Sequence, residues 1–306
     1  MFSQLMSMVL TEDFLFSIIR ITAPILFAAM GAVVAEKAGV TNIGLEGTMM
    51  ISALLGMLVS YWTQSWVLGV LMAVLVGILL GLMMGFFYLK LKTDIILAGI
   101  AVNMLVHMKG NTGALSSANI LIPTINIPLI DKVPVLRSLL SGHSVLTYVA
   151  FLSVLLMWIL LYRTSLGLNI RAVGENDHAA SSVGVSVNKI RYIAIGISGA
   201  MAGLGGAFMS MYYSQGWNSG MVAGRGFIAL AAQAMGRGEP VGAMLSSLLF
   251  GFAQALKNKV TGLTGLSSYN YLVASIPYIV TVIGLVVYAA STLKKAKKHQ
   301  AKSEDK

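Results

Sequence analysis

Long apolar runs alternate with short polar breaks along the whole chain. Read against those breaks, the runs predict membrane-spanning helices near positions 14–35, 47–62, 67–91, 95–108, 145–162, 190–213, 241–256 and 271–290. Several approach or exceed the roughly 20 apolar residues that carry a helix across a bilayer, and the two-residue alternation of a transmembrane barrel is missing from the sequence. One more apolar stretch, 225–236, is only about half a membrane long and predicts a short or re-entrant helix. The expectation is an all-α, polytopic helical membrane protein of about eight to nine transmembrane helices with broken or re-entrant segments. Residues 1–306 form a single transmembrane domain in this reading.

Composition sharpens that picture. Hydrophobic residues make up 57% and charged residues 10% of the chain, against about one quarter charged in an average soluble domain. No segment is long enough for a separate soluble catalytic domain, so any energy-coupling ATPase must be another chain. The lack of cysteine excludes disulfides, thiolate chemistry and a lipid-modified cysteine. The first thirteen residues carry Glu12 and Asp13 but no Lys or Arg, unlike a secretory signal, so the first span is expected to stay in the mature protein.

The net charge of +10 is largely topology. Lys and Arg gather at the cytoplasmic ends of spans, and the densest cluster, Lys294, Lys295, Lys297 and Lys298, puts the basic tail 291–306 in the cytoplasm. Arg163, Arg171, Lys189 and Arg191 place a polar segment, 163–190, on the same side, as Lys90 and Lys92 do for the turn after the third span. These bases flank spans and form no basic domain, so no nucleic-acid partner is expected. Segment 109–143 then lies outside, where it either meets a partner or caps the domain. The side of the N-terminus depends on whether the break at 36–44 crosses the membrane or folds back.

That break, continued to position 47, holds two carboxylates, a lysine, an asparagine and glycines between two apolar runs. Backbone groups left unsatisfied cannot face lipid, so such a break is buried in protein or lines a water-filled cavity. Asn42 is expected to cap the following helix, with Glu46 near its positive end. Two readings stand: a capped cytoplasmic turn, or a translocation path for a solute. Asp94 opens the fourth span as an N-cap candidate, and Asn103 and His107 lie four residues apart on one of its faces. Intramembrane polar residues face a bundle interior or a pathway, which makes Asn103 a pathway candidate. Asn218, Arg225 and Gln233 form a third polar set. Flanked by Gly224 and Gly226, Arg225 binds a polar substrate, pairs with a neighbouring carboxylate, or anchors a span end. The spacing Gly199-x-x-x-Gly203 predicts close helix packing.

Enzyme chemistry finds little to work with. Gly196-Ile-Ser-Gly199 matches the serine motif of intramembrane rhomboid proteases, but the only later histidine, His299, is in the tail, so the base that a serine nucleophile requires is lacking. Neither a His-Glu-x-x-His zinc pair nor a phosphate-binding Gly-x-x-x-x-Gly-Lys-Ser/Thr loop occurs. With four histidines in the chain no metal site is expected, and the chain is expected neither to hydrolyse nucleotide nor to bind a cofactor of its own.

Between the fifth and sixth spans runs the polar stretch from Arg171 to Arg191. Asn176 or Asp177 is a good N-cap, His178 to Val183 is enough for a short helix, and Gly184 is a fitting stop. Held by spans at both ends, this helix either acts as a lever on them or is an ordinary interfacial loop. Here the residues also carry a resemblance. Asn42-Ile-Gly-Leu-Glu-Gly47, Asp94 with Gly99 and Asn103, Arg171-Ala-Val-Gly-Glu-Asn176 with Ala179, Ala180 and Gly184, Ser198-Gly-Ala-x-Ala-Gly-Leu-Gly-Gly206, and Gly224-Arg-Gly-Phe-Ile-Ala-Leu-Ala231 followed by Gly236 and Pro240 occur in that order. Together they resemble the permease subunits of bacterial ABC importers for nucleosides and simple sugars, of the branched-chain amino acid and ribose permease type, and most of all the shorter of two paired nucleoside permeases.

The resemblance implies a heteromeric importer in the bacterial cytoplasmic membrane. In it a second, non-identical permease completes the pore, an extracellular binding protein delivers substrate, and a cytoplasmic ATPase that holds ATP and Mg docks on the loop. Arg171, Gly174, Glu175, Asn176, Asp177, Ala179, Ala180 and Gly184 would form that docking loop. The polar breaks themselves nominate Asn42, Glu46, Asn103, Arg225 and Gln233 for the substrate pathway. The competing reading is a secondary transporter or channel for a small polar solute that works alone.

Overall fold

The computed structural model describes residues 11–104, 121–127 and 141–261, together with the helical positions Ile279, Val282 and Val286. The rest of the span expected at 271–290, the tail 291–306, His107 and most of segment 109–143 therefore lie outside the described residues. Within them the chain forms α1 (Glu12–Lys37), α2 (Leu45–Thr63), α3 (Trp66–Leu89), α4 (Ile95–Met104), α5 (Val145–Arg163), α6 (Ser165–Glu175), α7 (Asp177–Ser182), α8 (Val187–Phe208), α9 (Arg225–Met235) and α10 (Pro240–Thr261). A π-helical turn, Met209–Tyr213, extends α8. Five of these helices are long and apolar enough to cross a membrane: α1, α2, α3, α5 and α8 with its π turn. All begin and end within a few residues of the predicted spans. The half-length helix also stands where it was expected, as α9 with 11 residues.

The expected spans at 95–108 and 241–256 are not among the five: α4 is an apolar helix of 10 described residues, and α10 is long enough but not one of the apolar five. Two other elements were not predicted at all. Thr124–Ile125 pairs with His143–Ser144 as a small antiparallel ladder, too short for a two-residue alternation to betray it. The second is α6, at the start of the polar loop, which carries a mixed sequence whose helical face shows only once Ile170 and Val173 are seen to be buried.

The core forms around α1. Its apolar and small residues run all the way round the helix, a pattern that calls for burial on every side, and every residue from Ile21 to Ala35 is buried. It packs against α8, α10, α9 and α5. Beside it α3 and α8 meet along a stripe of small residues. Gly69, Ala73, Gly77, Gly81 and Gly85 recur every fourth residue on α3; the last four face Ile195, Gly199 and Gly203 of α8, while Gly69 packs on Gly56 and Ser60 of α2 and on Met211 of the π turn. A Cβ on Gly77 would sit 2.1 Å from the Gly199 carbonyl oxygen, so the two backbones touch. Gly77→Val is expected to lower the thermal midpoint of the solubilised protein, since overpacking costs roughly 1–3 kcal/mol or more. Gly196→Ala, whose Cβ meets only a Leu82 methyl at 3.7 Å, is the near-neutral control; equal melting of the two variants would contradict the close packing.

The ends of the helices sort onto two faces. One, the loop face, gathers α6, α7, the ends of α1 and α5, the start of α8 and the α9–α10 turn. The other holds the start of α1 and the β ladder, where Phe16 stacks on His143 with ring centres 4.2 Å apart. Hence the break after α1 does not cross the membrane. It folds back from the loop face, and α1 begins on the opposite face.

Candidate functional site

The fold-back enters the protein. Asn42 is 1% exposed; its Nδ2 donates to Ser198 Oγ (2.9 Å), and its Oδ1 accepts from the Gly44 backbone N–H (3.1 Å). Gly31 packs against the same Ser198 backbone, and Gly31 lies six residues, about 9 Å of helix, before the end of α1. So α2 begins well inside the membrane layer, with N–H groups that need acceptors. Contrary to the expectation from sequence, Asn42 does not cap α2. Gly44 takes that position, and Asn42 holds the turn before it.

Acceptors come instead from neighbouring helices. Asn103 on α4 accepts from Gly47 N–H at 2.7 Å and donates back to the Ile43 carbonyl at 3.0 Å. Glu46, in the first turn of α2, accepts from Gly224 N–H at 2.8 Å and Gly226 N–H at 2.7 Å with its two carboxylate oxygens. Asn103 thus caps α2, and Glu46 caps α9. A Cβ on Gly226 would stand 2.5 Å from the Glu46 nitrogen, so glycine is what lets the α9 amides approach the carboxylate. Asp94 behaves as the sequence suggests, accepting from Ile96 N–H at 2.7 Å to open α4.

These caps border a cavity of about 370 Å³ lined by Glu46, Asn103, Ser219, Gly220, Gly224 and Phe227 among others. Two of the five nominated pathway residues, Glu46 and Asn103, therefore share one cavity. Asn42, Arg225 and Gln233 do not line it. Arg225 is 7% exposed; its Nη1 donates to the carbonyls of Met221 (3.2 Å) and Val222 (2.9 Å), and its guanidinium lies over the Tyr213 ring at 4.9 Å. It clamps the turn that presents Gly224, with its charge attracting Glu46 from behind. Gln233 is buried farther along α9. Residue type alone did not single out Ser219, Gly220 or Phe227. The available signal was a large ring on a short helix of small residues, and Phe227 is indeed exposed on the cavity wall.

A carboxylate has about four lone-pair positions, and two are occupied by the glycine amides. The others suit hydroxyl donors, and the Phe227 ring offers a flat apolar surface. That chemistry fits an uncharged solute rich in hydroxyl groups and disfavours an anion.

On the loop face, Thr164 caps α6 by accepting from Gly167 N–H (3.1 Å), and Asn176 caps α7 by accepting from Ala179 N–H (2.9 Å). Gly184 follows α7 with φ +86°, the left-handed stop read from the sequence. Gly174 lies against the end of α1, where a Cβ would meet the Lys37 carbonyl oxygen at 2.2 Å. Arg191 secures α7 through Asp177 (Nη2 to Oδ2, 3.2 Å) and reaches back to the Ala38 carbonyl. Glu175, Asn176 and Ala179 face outward and Ala180 inward, while Val183 is 79% exposed.

Behind α6 is a second cavity, about 540 Å³, lined by Lys37, Tyr162, Arg171, Glu175 and Glu239 among others. Lys37 Nζ lies 2.8 Å from Glu239 Oε1, Tyr162 donates its hydroxyl to Glu239 Oε2, and the Arg171 guanidinium covers the Tyr162 ring at 4.9 Å. Partial burial works to raise the Glu239 carboxyl, but the hydrogen bonds from Lys37 and Tyr162 and the charges of Lys37 and Arg171 outweigh it and hold the group below the usual glutamate range. Lys37 and Glu239 are 202 positions apart, and nothing in the sequence pairs them.

The chain matches the family described as branched-chain amino acid transport system / permease component over residues 14–291. It is 31% identical to the nucleoside ABC transporter permease protein NupC of Lactococcus lactis over 89% of this chain and 90% of that protein. It is 32% identical to the guanosine ABC transporter permease protein NupQ of Bacillus subtilis, covering 86% and 88%, and 31% identical to the putative glucose ABC transporter permease protein TsgC13 of Haloferax volcanii, covering 76% and 73%. A shorter stretch, 35% of the chain, is 32% identical to 29% of the nucleoside permease NupB, also from L. lactis. No solved structure matches the chain.

Proposed function

We infer that this chain, which belongs to the branched-chain amino acid transport system / permease component family, is the membrane permease subunit of an ABC importer for nucleosides. It is a multi-pass membrane protein and a transport component, not itself an enzyme. The observation that carries the transport reading is the cavity of Glu46 and Asn103, a largely apolar recess that holds a carboxylate and an amide between broken helices and whose rim residues Phe227, Ile100 and Met104 are exposed. Lipid offers no partners to a carboxylate or to polar backbone, so a second, non-identical permease closes the open side and the two share the pathway. That NupC and NupB, both from L. lactis, are both named nucleoside ABC permeases supports such pairing.

The loop face lies in the cytoplasm by its lysines and arginines, and α1 then begins outside. An ATPase subunit with ATP and Mg docks on α6 and α7, where Ala179 and Val183 offer small and apolar contacts beside the polar caps. An extracellular binding protein delivers the solute to the other face, all within the bacterial cytoplasmic membrane. Nucleosides fit the cavity through ribose hydroxyls on Glu46 and the base against Phe227. Reconstitution with the companion permease, ATPase and binding protein tests this. Labelled guanosine or uridine should enter proteoliposomes only with ATP and all components, and glucose should not compete. Uptake by this chain alone without ATP would overturn the importer reading, and efficient competition by glucose would overturn the nucleoside assignment.

A further inference from the structure

The charged cluster behind α6 sits where the docking loop meets the lower end of α9. Arg171 comes from α6, Tyr162 from the last turn of α5, Lys37 from the last residue of α1, and Glu239 from the turn that joins α9 to α10. Resting on the reading above that an ATPase docks on α6 and α7, we propose that Glu239 is a positioning residue that couples the docking loop to the solute cavity. The Tyr162 hydroxyl bonded to Glu239 joins the loop to α9, and α9 carries the displacement to Glu46.

Rigidity at both ends of α9 supports that route. Its lower end is pressed into α10: a Cβ on Gly236 would meet Ala243 N at 2.2 Å, and one on Gly242 would meet the Gly236 carbonyl oxygen at 2.3 Å. The Glu239 carbonyl accepts from Ala243 N–H at 2.8 Å, so the residue holding the ion pair also starts α10. At the upper end, both oxygens of Glu46 grip the amides of Gly224 and Gly226. Between them run 11 residues of helix, a strut of about 16 Å. A rod fastened at both ends passes on a push at one end to the other, so a shift of α6 that moves the Arg171–Tyr162 stack moves the Glu46 carboxylate against the solute. The Glu239 side chain is the exposed, exchangeable joint in this line, whereas the glycine contacts are fixed by backbone.

A merely structural ion pair predicts something different from a coupling joint. The complete transporter, reconstituted with Tyr162→Phe, with Glu239→Gln and with both, is assayed for ATPase co-purification, ATP hydrolysis and nucleoside uptake on the same vesicles. Coupling predicts that the ATPase still co-purifies and hydrolyses ATP while uptake per ATP falls about fivefold or more, and that the double variant is no worse than the poorer single one. Tyr162→Phe deletes only a hydroxyl, so it keeps the test informative if Glu239→Gln does not assemble. An unchanged ratio of uptake to ATP in both single variants, or loss of ATPase co-purification on Tyr162→Phe, would overturn the proposal. If the unaltered chain itself retains no ATPase, it is the docking reading that fails.

Discussion

Glu46→Ala is expected to abolish uptake while the protein still reaches the membrane. Deleting the carboxylate strands the Gly224 and Gly226 amides, each at about 1–3 kcal/mol when buried, and removes charge-assisted bonds worth more than neutral ones. Arg225, 7% exposed, loses the negative charge in front of it. The Gly224 and Gly226 amides then lose the acceptor they have in the protein, and the turn before α9, still clamped by Arg225 on the Met221 and Val222 carbonyls, is no longer tied to α2 at the cavity. A loss of about 3–5 kcal/mol local to this junction corresponds to uptake reduced by two orders of magnitude or more. Glu46→Gln separates shape from charge. Its single carbonyl oxygen can serve one glycine amide, while its NH₂ faces the other donor, so an intermediate loss of roughly tenfold is expected. Initial uptake rates normalised to the assembled complex distinguish these outcomes. Uptake by Glu46→Ala within a few-fold of the parent would mean that α9 is held by something other than this carboxylate.

The sequence made parts of this junction legible and hid others for identifiable reasons. Carboxylates and asparagines inside apolar runs are conspicuous, which is why Glu46 and Asn103 could be nominated before their setting was known. Their partners were not legible, because the bonds they make go to backbone amides 56 to 180 positions away, and an amide leaves no mark on residue type. In Gly224-Arg-Gly226 attention falls on the arginine, whereas the contact with Glu46 is made by the glycines on either side of it. Asn42 has the sequence setting of a helix cap, because an asparagine that closes a turn and one that caps a helix look alike in sequence. The four-residue spacing of small residues that marks close packing on α8 also runs along α3. Lys37, Tyr162 and Glu239 lie at the ends of three separate helices, so only the fold brings them together.

Gly174→Val should remove uptake by a different route, at the loop face. The Cβ of any larger residue would sit 2.2 Å from the Lys37 carbonyl oxygen, 2.8 Å from its carbon and 3.1 Å from the Gly39 nitrogen, all backbone atoms that no rotamer change can move aside. A valine there forces α6 off the end of α1. Arg171, three residues earlier on the same helix, is drawn away from the Tyr162 ring, and the docking loop loses its register on the membrane helices. The other side of position 174 faces solvent, so the cost to overall stability stays near the 1–3 kcal/mol of a local overpacking, and the chain should still fold and insert. Uptake, in contrast, should fall by about fiftyfold or more, since a misplacement of about an ångström in a positioning contact is enough for such losses. Gly184→Ala separates this packing effect from backbone strain. Gly184 has φ +86° but nothing within 4 Å of its Cβ position, so alanine meets only the left-handed penalty of roughly 1–2 kcal/mol at an exposed turn that relaxes outward. Its uptake should drop only a few-fold. If Gly174→Val transports as well as Gly184→Ala, contact between α6 and α1 is not what carries force from the loop.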